Sequence, residues 1–238
     1  MNTIESKVIT IKYIDKFMTY NGFKLMKNSS SEAIYKRKTI LGYDIFGSSP
    51  TNYNPLQMLG FGVSKIIKPI EDVTKEINKH VQLNPPIHSN TRSLALLNYK
   101  LDRGKESARM SKPETTEEDV KEYAEEVMEY LKTSALPLLD KFNDLREIDK
   151  VINGDDFWIT DWQKPFNLGG NFYVKRLIIA KLAGGQKHLE EVIEKDKLAF
   201  IESEKEQGRV ANLGVYEDMN NAVGFTVNYL KNVGPLYD

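Results

Sequence analysis

The sequence predicts an α+β fold: an N-terminal antiparallel sheet of about four strands with helices on one face, followed by a mostly helical C-terminal half. Two observations predict it. Between residues 23 and 101, short stretches alternate apolar and polar residues, as strands do. After residue 115, apolar residues recur almost only at helical spacing. We therefore expect a basic α+β part at residues 1–114 and an acidic helical part at residues 115–238 packed on it, within one domain or two.

The N-terminal half is expected to open with a helix. Thr10 can cap this helix, and Asn21-Gly22 supplies a left-handed stop, after which residues 23–25 look extended. Longer strands are predicted at residues 32–46, 57–67 and 91–101. Pro69 begins a helix between the last two strands, because proline is tolerated in a first helical turn.

The helix that opens the second half has one apolar face and one acidic face. Thr115 with Glu118 fits the capping-box pattern, and Thr116 with Asp119 is a second capping pair. The apolar face comprises Val120, Ala124, Val127, Met128 and Leu131. The acidic face comprises Glu117, Glu118, Glu122, Glu125, Glu126 and Glu129. We expect the apolar face to join the two halves.

Residues 171–184 and 186–207 are predicted to form an αα-hairpin. Gly184-Gly185 separates their two helical patterns, and such a pair of glycines ends a helix readily. The second arm of this hairpin is also acidic. Its acids are Glu190, Glu191, Glu194, Asp196, Glu202, Glu204 and Glu206, and we expect them to be exposed. The stretch before the hairpin, residues 155–170, is predicted to be an irregular connection.

Composition places the chain among ordinary globular proteins and excludes several kinds of site. Of its 238 residues, 40% are hydrophobic and 28% charged, and none is cysteine. Disulfides, zinc–thiolate sites and thiol catalysis are therefore excluded. No signal-peptide pattern opens the sequence, and no run of 18 apolar residues occurs in it. We expect a cytoplasmic protein without a membrane partner.

Charge is distributed unevenly along the chain. The first 114 residues hold 18 basic and 10 acidic residues, whereas the remainder hold 15 and 24. Two interpretations follow from these net charges of +8 and −9. Either the imbalance is structural, as attraction between the halves or as solvated surface, or one half offers a charged face to a partner.

Motifs that bind phosphate, dinucleotides or catalytic metals are missing from the sequence. His80 and His88 lie on either side of a Pro-Pro break, but two histidines without a third ligand do not predict a metal site. We therefore predict no cofactor and no metal.

One loop combines carboxylates with both tryptophans of the chain. Its residues are Asp155, Asp156, Phe157, Trp158, Asp161, Trp162 and Phe166. Carboxylates beside aromatic rings can act as general acids, and aromatic loops also bind ligands. An aromatic plug with aspartates that cap neighbouring helices would show the same pattern, so packing, binding and catalysis all stay open.

A basic cluster lies in the first strands: Lys24, Lys27, Lys36, Arg37 and Lys38. Side chains alternate across a strand, so Lys36 and Lys38 should share one face while Arg37 points to the other. Few aromatic residues are interleaved with these charges and no RNA-binding signature is present, so we do not expect nucleic acid as the partner.

Several short motifs occur together over residues 10–150. They are Asn21-Gly22-Phe23-Lys24, Tyr35-Lys36-Arg37, Phe61-Gly62-Val63 and Leu136-Pro137-Leu138-Leu139. This arrangement resembles small bacterial domains of unknown function that open with a helix and a Gly-Phe-Lys or Gly-Phe-Arg turn. Several of those look like toxin-immunity or defence-associated proteins. The resemblance implies an immunity-like role and carries over no catalytic residues.

The sequence thus favours a non-catalytic, cytoplasmic, bacterial binding protein, immunity-like in its action, that meets a basic protein partner. Glu122, Glu125 and Glu129 are the predicted binding residues on the acidic helix. The alternative is an enzyme that uses the Asp155–Trp162 loop. The sequence indicates no oligomeric state.

Overall fold

The structure is a computed structural model. It describes residues 3–29, 32–50, 59–81, 93–96, 115–154, 166–168, 172–206, 208 and 221–237. The strands are β1 (Lys24–Asn28), β2 (Ala33–Lys38), β3 (Gly42–Pro50), β4 (Leu59–Ile67), β5 (Leu94–Leu96) and β6 (Phe166–Asn167). The helices are α1 (Thr3–Tyr20), α2 (Lys68–Asn78), α3 (Glu117–Tyr130), α4 (Leu136–Lys141), α5 (Leu145–Asn153), α6 (Phe172–Glu206) and α7 (Asn221–Leu230). A π-helical turn, Leu131–Ala135, joins α3 to α4.

Two compact units interleave along the chain. Unit 1 comprises Met1–Ile66, Leu94–Asn143 and Pro165–Asn167. Unit 2 comprises Ile67–Ser93, Asp144–Lys164 and Leu168–Asp238. The predicted division of the chain into a part at residues 1–114 and a part at residues 115–238 stays a prediction.

The α+β class is confirmed, with an antiparallel sheet and a mostly helical second half, but the sheet is larger than expected. Its six described strands run in the order β1-β2-β3-β4-β5-β6 rather than numbering about four. The stretch 32–46 holds two strands because the chain turns at Thr39, whose N–H donates to the Gly42 carbonyl at 3.0 Å. The two-residue strand β6 lies in a stretch predicted to be irregular, since two residues are too few to show alternation.

Helix α1 begins earlier than the sequence indicated. It starts at Thr3, and Thr10 lies inside it, where the hydroxyl donates to the Ser6 carbonyl at 2.9 Å. The predicted cap at Thr10 is therefore wrong, because a threonine hydroxyl also bonds back to a carbonyl one turn earlier. The predicted stop is confirmed, since Gly22 has a φ of 81°.

Helices α1 and α3 cover the same face of the sheet. Tyr35 and Phe46 are directly opposite in the β2–β3 register, so their side chains share that face. The Tyr35 hydroxyl donates to Asp15 of α1 at 3.0 Å. The Phe46 ring stacks on Phe61 at 6.0 Å between centroids, and Phe61 lies 5.7 Å from Tyr130 of α3. These rings form the centre of unit 1.

A capping box at Thr116 and Asp119, the second of the two predicted capping pairs, starts α3. Thr116 is the N-cap: its hydroxyl accepts from the Asp119 N–H at 3.2 Å, while its own N–H donates to the Asp119 carboxylate at 2.9 Å. The predicted box at Thr115 and Glu118 is therefore wrong, because aspartate at the third helical position fulfils the role usually assigned to glutamate.

The π-helical turn follows from a proline. Pro137 has no N–H, so it cannot continue the ordinary hydrogen-bond ladder of a helix. The Leu136 N–H donates to the Leu131 carbonyl five residues earlier, which is the π-helical pattern. Helical backbone therefore continues from α3 into α4 without a break.

The predicted αα-hairpin in unit 2 is confirmed. Gly185 has φ 76° and ψ −162°, values that no helix contains. Arg176 and Asp196, on either side of it, form an ion pair, although a straight helix would separate them by about 30 Å. The chain must therefore fold back at Gly185. Helices α2, α5 and α7 all contact this hairpin.

Candidate functional site

The predicted binding residues lie on the outer side of α3. Together with Glu118 they form what we call the acidic stripe: Glu118, Glu122, Glu125 and Glu129, all four exposed. Their spacing of four, three and four residues places them on one helical face. The opposite face is buried, with Val120, Ala124 and Val127 no more than 2% exposed. The predicted apolar stripe is confirmed there, although Met128 is only half-buried.

Within α3 itself, little positive charge offsets the stripe. Helix α3 has seven acidic residues and one lysine, which gives a formal charge of −6 over 14 residues. That lysine, Lys121, donates to Glu118 at 3.0 Å, and this hydrogen bond raises the pKa of Lys121. Glu122, Glu125 and Glu129 therefore make up the strongly acidic part of the stripe.

The second arm of α6 is a weaker candidate. Residues 186–206 hold seven acids and four lysines, a formal charge of −3. One of those lysines, Lys197, donates to Glu194 at 3.1 Å. The expectation that Asp196 is exposed is wrong, because Asp196 is 7% exposed and paired with Arg176 across the hairpin. Burial raises the pKa of Asp196 more than Arg176 lowers it.

A cluster of charges with a buried centre at Asp44 and Lys65 and an exposed end at Asp140 holds α4, and with it the end of α3, against the sheet. We call it the charged lock: Arg37, Asp44, Lys65, Asp140 and Asn143. Asp44 accepts from the Arg37 Nε at 2.9 Å and from the Lys65 Nζ at 2.5 Å. Arg37 also donates to Asp140 at 2.7 Å, and Lys65 to Asn143 at 2.9 Å. Burial lowers the pKa of Lys65, although Asp44 opposes this effect.

The opposite face of the sheet carries lysines. We call it the lysine face: Lys24, Lys36 and Lys38. Lys24 is directly opposite Lys36 in the β1–β2 register, and Lys38 follows Lys36 by two residues, so all three share one side. The Lys36 Nζ lies 4.7 Å from the centre of the Tyr43 ring. The prediction that Arg37 points away from these lysines is confirmed by its place in the charged lock.

A polar network in unit 2 was missed by sequence reasoning. His188 Nε2 lies 2.7 Å from Asp149, and Asn153 donates to the same carboxylate at 2.7 Å. Arg176 donates to Asn153 at 2.6 Å and also pairs with Asp196. The network connects α5 to both arms of α6. No sequence pattern could reveal it, because its members meet only after the hairpin closes.

A second buried cluster in unit 2 joins a serine, a glutamate and a lysine. The Ser93 hydroxyl donates to Glu71 at 2.7 Å, and the Lys175 Nζ lies 3.4 Å from the same carboxylate. Burial lowers the pKa of Lys175. All three residues are at most 5% exposed, so this cluster stabilises the interior rather than meeting a partner.

The aromatic loop falls outside the described residues, and so does His88. The structure does not describe the predicted loop residues Asp155, Asp156, Trp158, Asp161 and Trp162. The binding and catalytic interpretations of the loop therefore stay predictions. Its last aromatic residue, Phe166, is described: it lies in β6 with its ring 4.8 Å from that of Phe142.

Within the described ranges, no group of three or more His, Asp or Glu residues is arranged to hold a metal ion. None of the helices in those ranges is both long and apolar enough to cross a membrane.

Comparison with known proteins gives no relative. No family model, no curated protein and no solved structure matches this chain.

Proposed function

We propose that this chain is a non-catalytic binding protein whose acidic stripe meets a basic protein partner. One observation carries the proposal: Glu122, Glu125 and Glu129 lie exposed on one line, directly opposite the buried face of a helix with a formal charge of −6. Such a line of carboxylates attracts a basic surface and orients it.

The stripe lies on a helix that contacts at its start, middle and end hold in position, which favours recognition over general solubility. The capping box fixes the start of α3, and the Phe61 ring, 6.4 Å from that of Tyr123, fixes its middle. The charged lock holds α4, which continues from α3 through the π-helical turn. A preorganised surface loses less entropy on binding than a surface of mobile side chains on a mobile backbone.

The resemblance to bacterial immunity-like domains suggests what such binding achieves. An immunity-like protein acts by occupying its partner, so it needs a complementary surface and no catalytic residues. We therefore infer an inhibitory binding role in the bacterial cytoplasm, exerted through the acidic stripe. Fast association suits this role, and opposite charges on the two partners accelerate encounter.

The test begins with affinity capture from native lysate to identify the partner, followed by measurement of the association rate. In the variant E122K/E125K/E129K, association at low salt should be at least about tenfold slower, and added salt should shrink the difference. Thermal stability should stay near that of the wild type, because these positions lie away from the buried face.

The matched control is E190K/E194K/E202K, which makes the same change in net charge on exposed residues of α6. This control should slow association much less. Equal slowing by both variants would indicate a response to net charge alone and would refute the acidic stripe as the binding site. An association rate that changes neither in E122K/E125K/E129K nor with added salt would also refute it as the binding site.

A further inference from the structure

The lysine face has an arrangement that internal packing does not require. Lys24 and Lys36 are directly opposite across β1 and β2, and like charges in that position destabilise a sheet. Lys38 adds a third charge on the same side, and β1 is an edge strand of the described sheet. Lys24 and Lys38 are exposed and Lys36 is half-exposed. An anionic surface placed on this face would relieve the repulsion.

The acidic stripe matches the lysine face in spacing. Along the axis of α3, Glu122, Glu125 and Glu129 are separated by about 4.5 and 6 Å. Across the sheet, Lys36 lies about 5 Å from Lys24, and about 7 Å from Lys38 along β2. The lysines form an angle, since one separation runs across the strands and the other along β2, whereas the carboxylates form a line. Lysine side chains are long and flexible enough to bring their ammonium groups towards such a line.

The two surfaces point in opposite directions within unit 1. Helix α3 covers the face of the sheet that carries Tyr35 and Phe46, and the lysines occupy the other face. The stripe lies on the side of α3 turned away from the sheet, so one copy cannot satisfy both of its own surfaces. A contact between stripe and lysine face is therefore heterologous, and repetition of such a contact gives either an open chain of copies or a ring.

We propose that the acidic stripe of one copy docks on the lysine face of a second copy, so that the protein associates head to tail. This inference rests on the proposed function, since it uses the same stripe and names the lysine face of a second copy as the basic surface that the stripe meets. The contact depends on exposed charges, so association should be weak and should require low salt.

A second copy fits this face better than nucleic acid does. The Tyr43 ring, which a base would need for stacking, already lies under the Lys36 ammonium group. The three charges are lysines, which cannot read base edges with the fixed bidentate geometry of arginine. A second copy also supplies carboxylates in a row on a helix, which can pair with several of the lysines at once.

The test exchanges charges between the two surfaces, with sedimentation velocity as the readout over a range of protein concentrations. The wild type should associate at low salt and dissociate at high salt. The acid-reversed variant E122K/E125K/E129K and the lysine-reversed variant K24E/K36E/K38E should each stay monomeric at low salt. The control E190K/E194K/E202K should associate as the wild type does.

Two further samples separate charge pairing from loss of fold. An equimolar mixture of the acid-reversed and lysine-reversed variants should associate, because each supplies the charge that the other needs. A chain that carries both sets of substitutions should again associate with itself. Circular dichroism should show the same helix content in every sample.

Several results would overturn the proposal. A wild type that stays monomeric at low salt and high concentration would do so, and so would monomeric behaviour of the mixture when both variants are folded. Binding of a single-stranded oligonucleotide by a monomeric wild type, lost in the lysine-reversed variant, would assign the face to nucleic acid instead. If the captured basic partner still binds more slowly to the acid-reversed variant, only the second-copy proposal fails, and the proposed function stands.

Discussion

Asp44 is the residue on which the charged lock depends, because it accepts from both cations. Lys65 is completely buried, and its remaining partner in the lock is the side chain of Asn143. Removal of the Asp44 charge leaves Arg37 and Lys65 close together without the carboxylate between them. Removal of the Lys65 charge, in contrast, leaves Asp44 bonded to Arg37 at 2.7 and 2.9 Å.

We therefore predict that Asp44→Asn destabilises the fold more than Lys65→Met does. The first substitution strands a buried cation and should lower the free energy of unfolding by about 3–5 kcal/mol. The second removes the buried cation itself and leaves the Asp44 carboxylate paired with Arg37, so no buried charge is left without an opposite charge and the loss should be smaller. Urea denaturation of both variants measures how much free energy of unfolding each one loses. A larger loss in Lys65→Met would contradict this account of the lock.

Tyr35 gives a prediction on pH. Burial, and next its hydrogen bond to Asp15, raise the pKa of Tyr35 in the folded chain. Above pH about 10, where an unfolded tyrosine loses its proton, the folded state binds more protons, so stability falls as pH rises. Tyr35→Phe removes this contribution. At neutral pH, the free energy of unfolding of the variant should be about 1 kcal/mol below that of the wild type, because the hydrogen bond is missing. Between pH 9 and 11, this free energy should fall less in the variant than in the wild type. Denaturant melts measure both effects, and parallel pH profiles for the two proteins would refute the role assigned to Tyr35.

Alternation along a strand was enough to predict which way Arg37 points, but not what it meets. Asp140, one of its partners, is 103 residues away in sequence, so only the folded chain brings the two together. The exposure of Asp196 was predicted wrongly for the same reason. Its partner Arg176 reaches it only once the hairpin has closed.

The turn of the αα-hairpin contains two glycines, and each is required for a different reason. Gly185 has φ 76° and ψ −162°, a region that is almost restricted to glycine, although an added Cβ would touch nothing within 4 Å. Gly184 differs, because a Cβ there would lie 2.6 Å from the His188 Cβ. The hairpin therefore requires glycine twice, for backbone conformation at one position and for space at the other.

Gly185→Ala should therefore lower the free energy of unfolding by about 1–3 kcal/mol through backbone strain alone. Gly224→Ala is the matched control, since its Cβ would also touch nothing, but it lies in a helix and is exposed. That substitution should raise stability by up to about 1 kcal/mol, because alanine favours helix. Thermal melts of both variants check the opposite signs, and two changes of the same sign would count against the hairpin geometry.

Long, periodic elements could be predicted from sequence, whereas short ones could not. The apolar stripe of α3 repeats over three turns, and its burial followed from spacing alone. The strands β5 and β6 have three and two residues, and pairing with neighbours defines them rather than any pattern of their own. Two threonines precede two possible acidic partners, so the sequence offered two capping pairs, and α3 begins with the second of them.

At the scale of the whole chain, the sequence predicted an excess of charge of each sign but not its placement. Basic and acidic halves were expected to reflect attraction between them, solvated surface, or a charged face for a partner. In unit 1 the two signs lie on opposite sides, with the lysine face on one surface of the sheet and the acidic stripe beyond the other. Neither net charge nor strand order could reveal this, since it follows from which sheet face α3 covers.

The interleaved units lead to a prediction about fragments. A chain cut after residue 114 separates α3 and α4 from the sheet that they cover in unit 1. The fragment 1–114 would expose the rings of Phe46 and Phe61 and would leave Lys65 and Arg37 without Asp140 and Asn143. Exposed aromatic area and buried charges that have lost partners both disfavour a compact state.

We expect fragment 1–114 alone to melt without a cooperative transition and to bind a hydrophobic dye, as loosely packed chains do. Fragment 1–143, which restores α3 and α4, is the matched control and should recover part of the ordered signal in near-ultraviolet circular dichroism. The acidic stripe lies on α3, so only the longer fragment contains it, and there we expect it to be helical. A sharp, two-state melt of fragment 1–114 would show that the basic part folds without α3, and would make the boundary at residue 114 a true domain boundary.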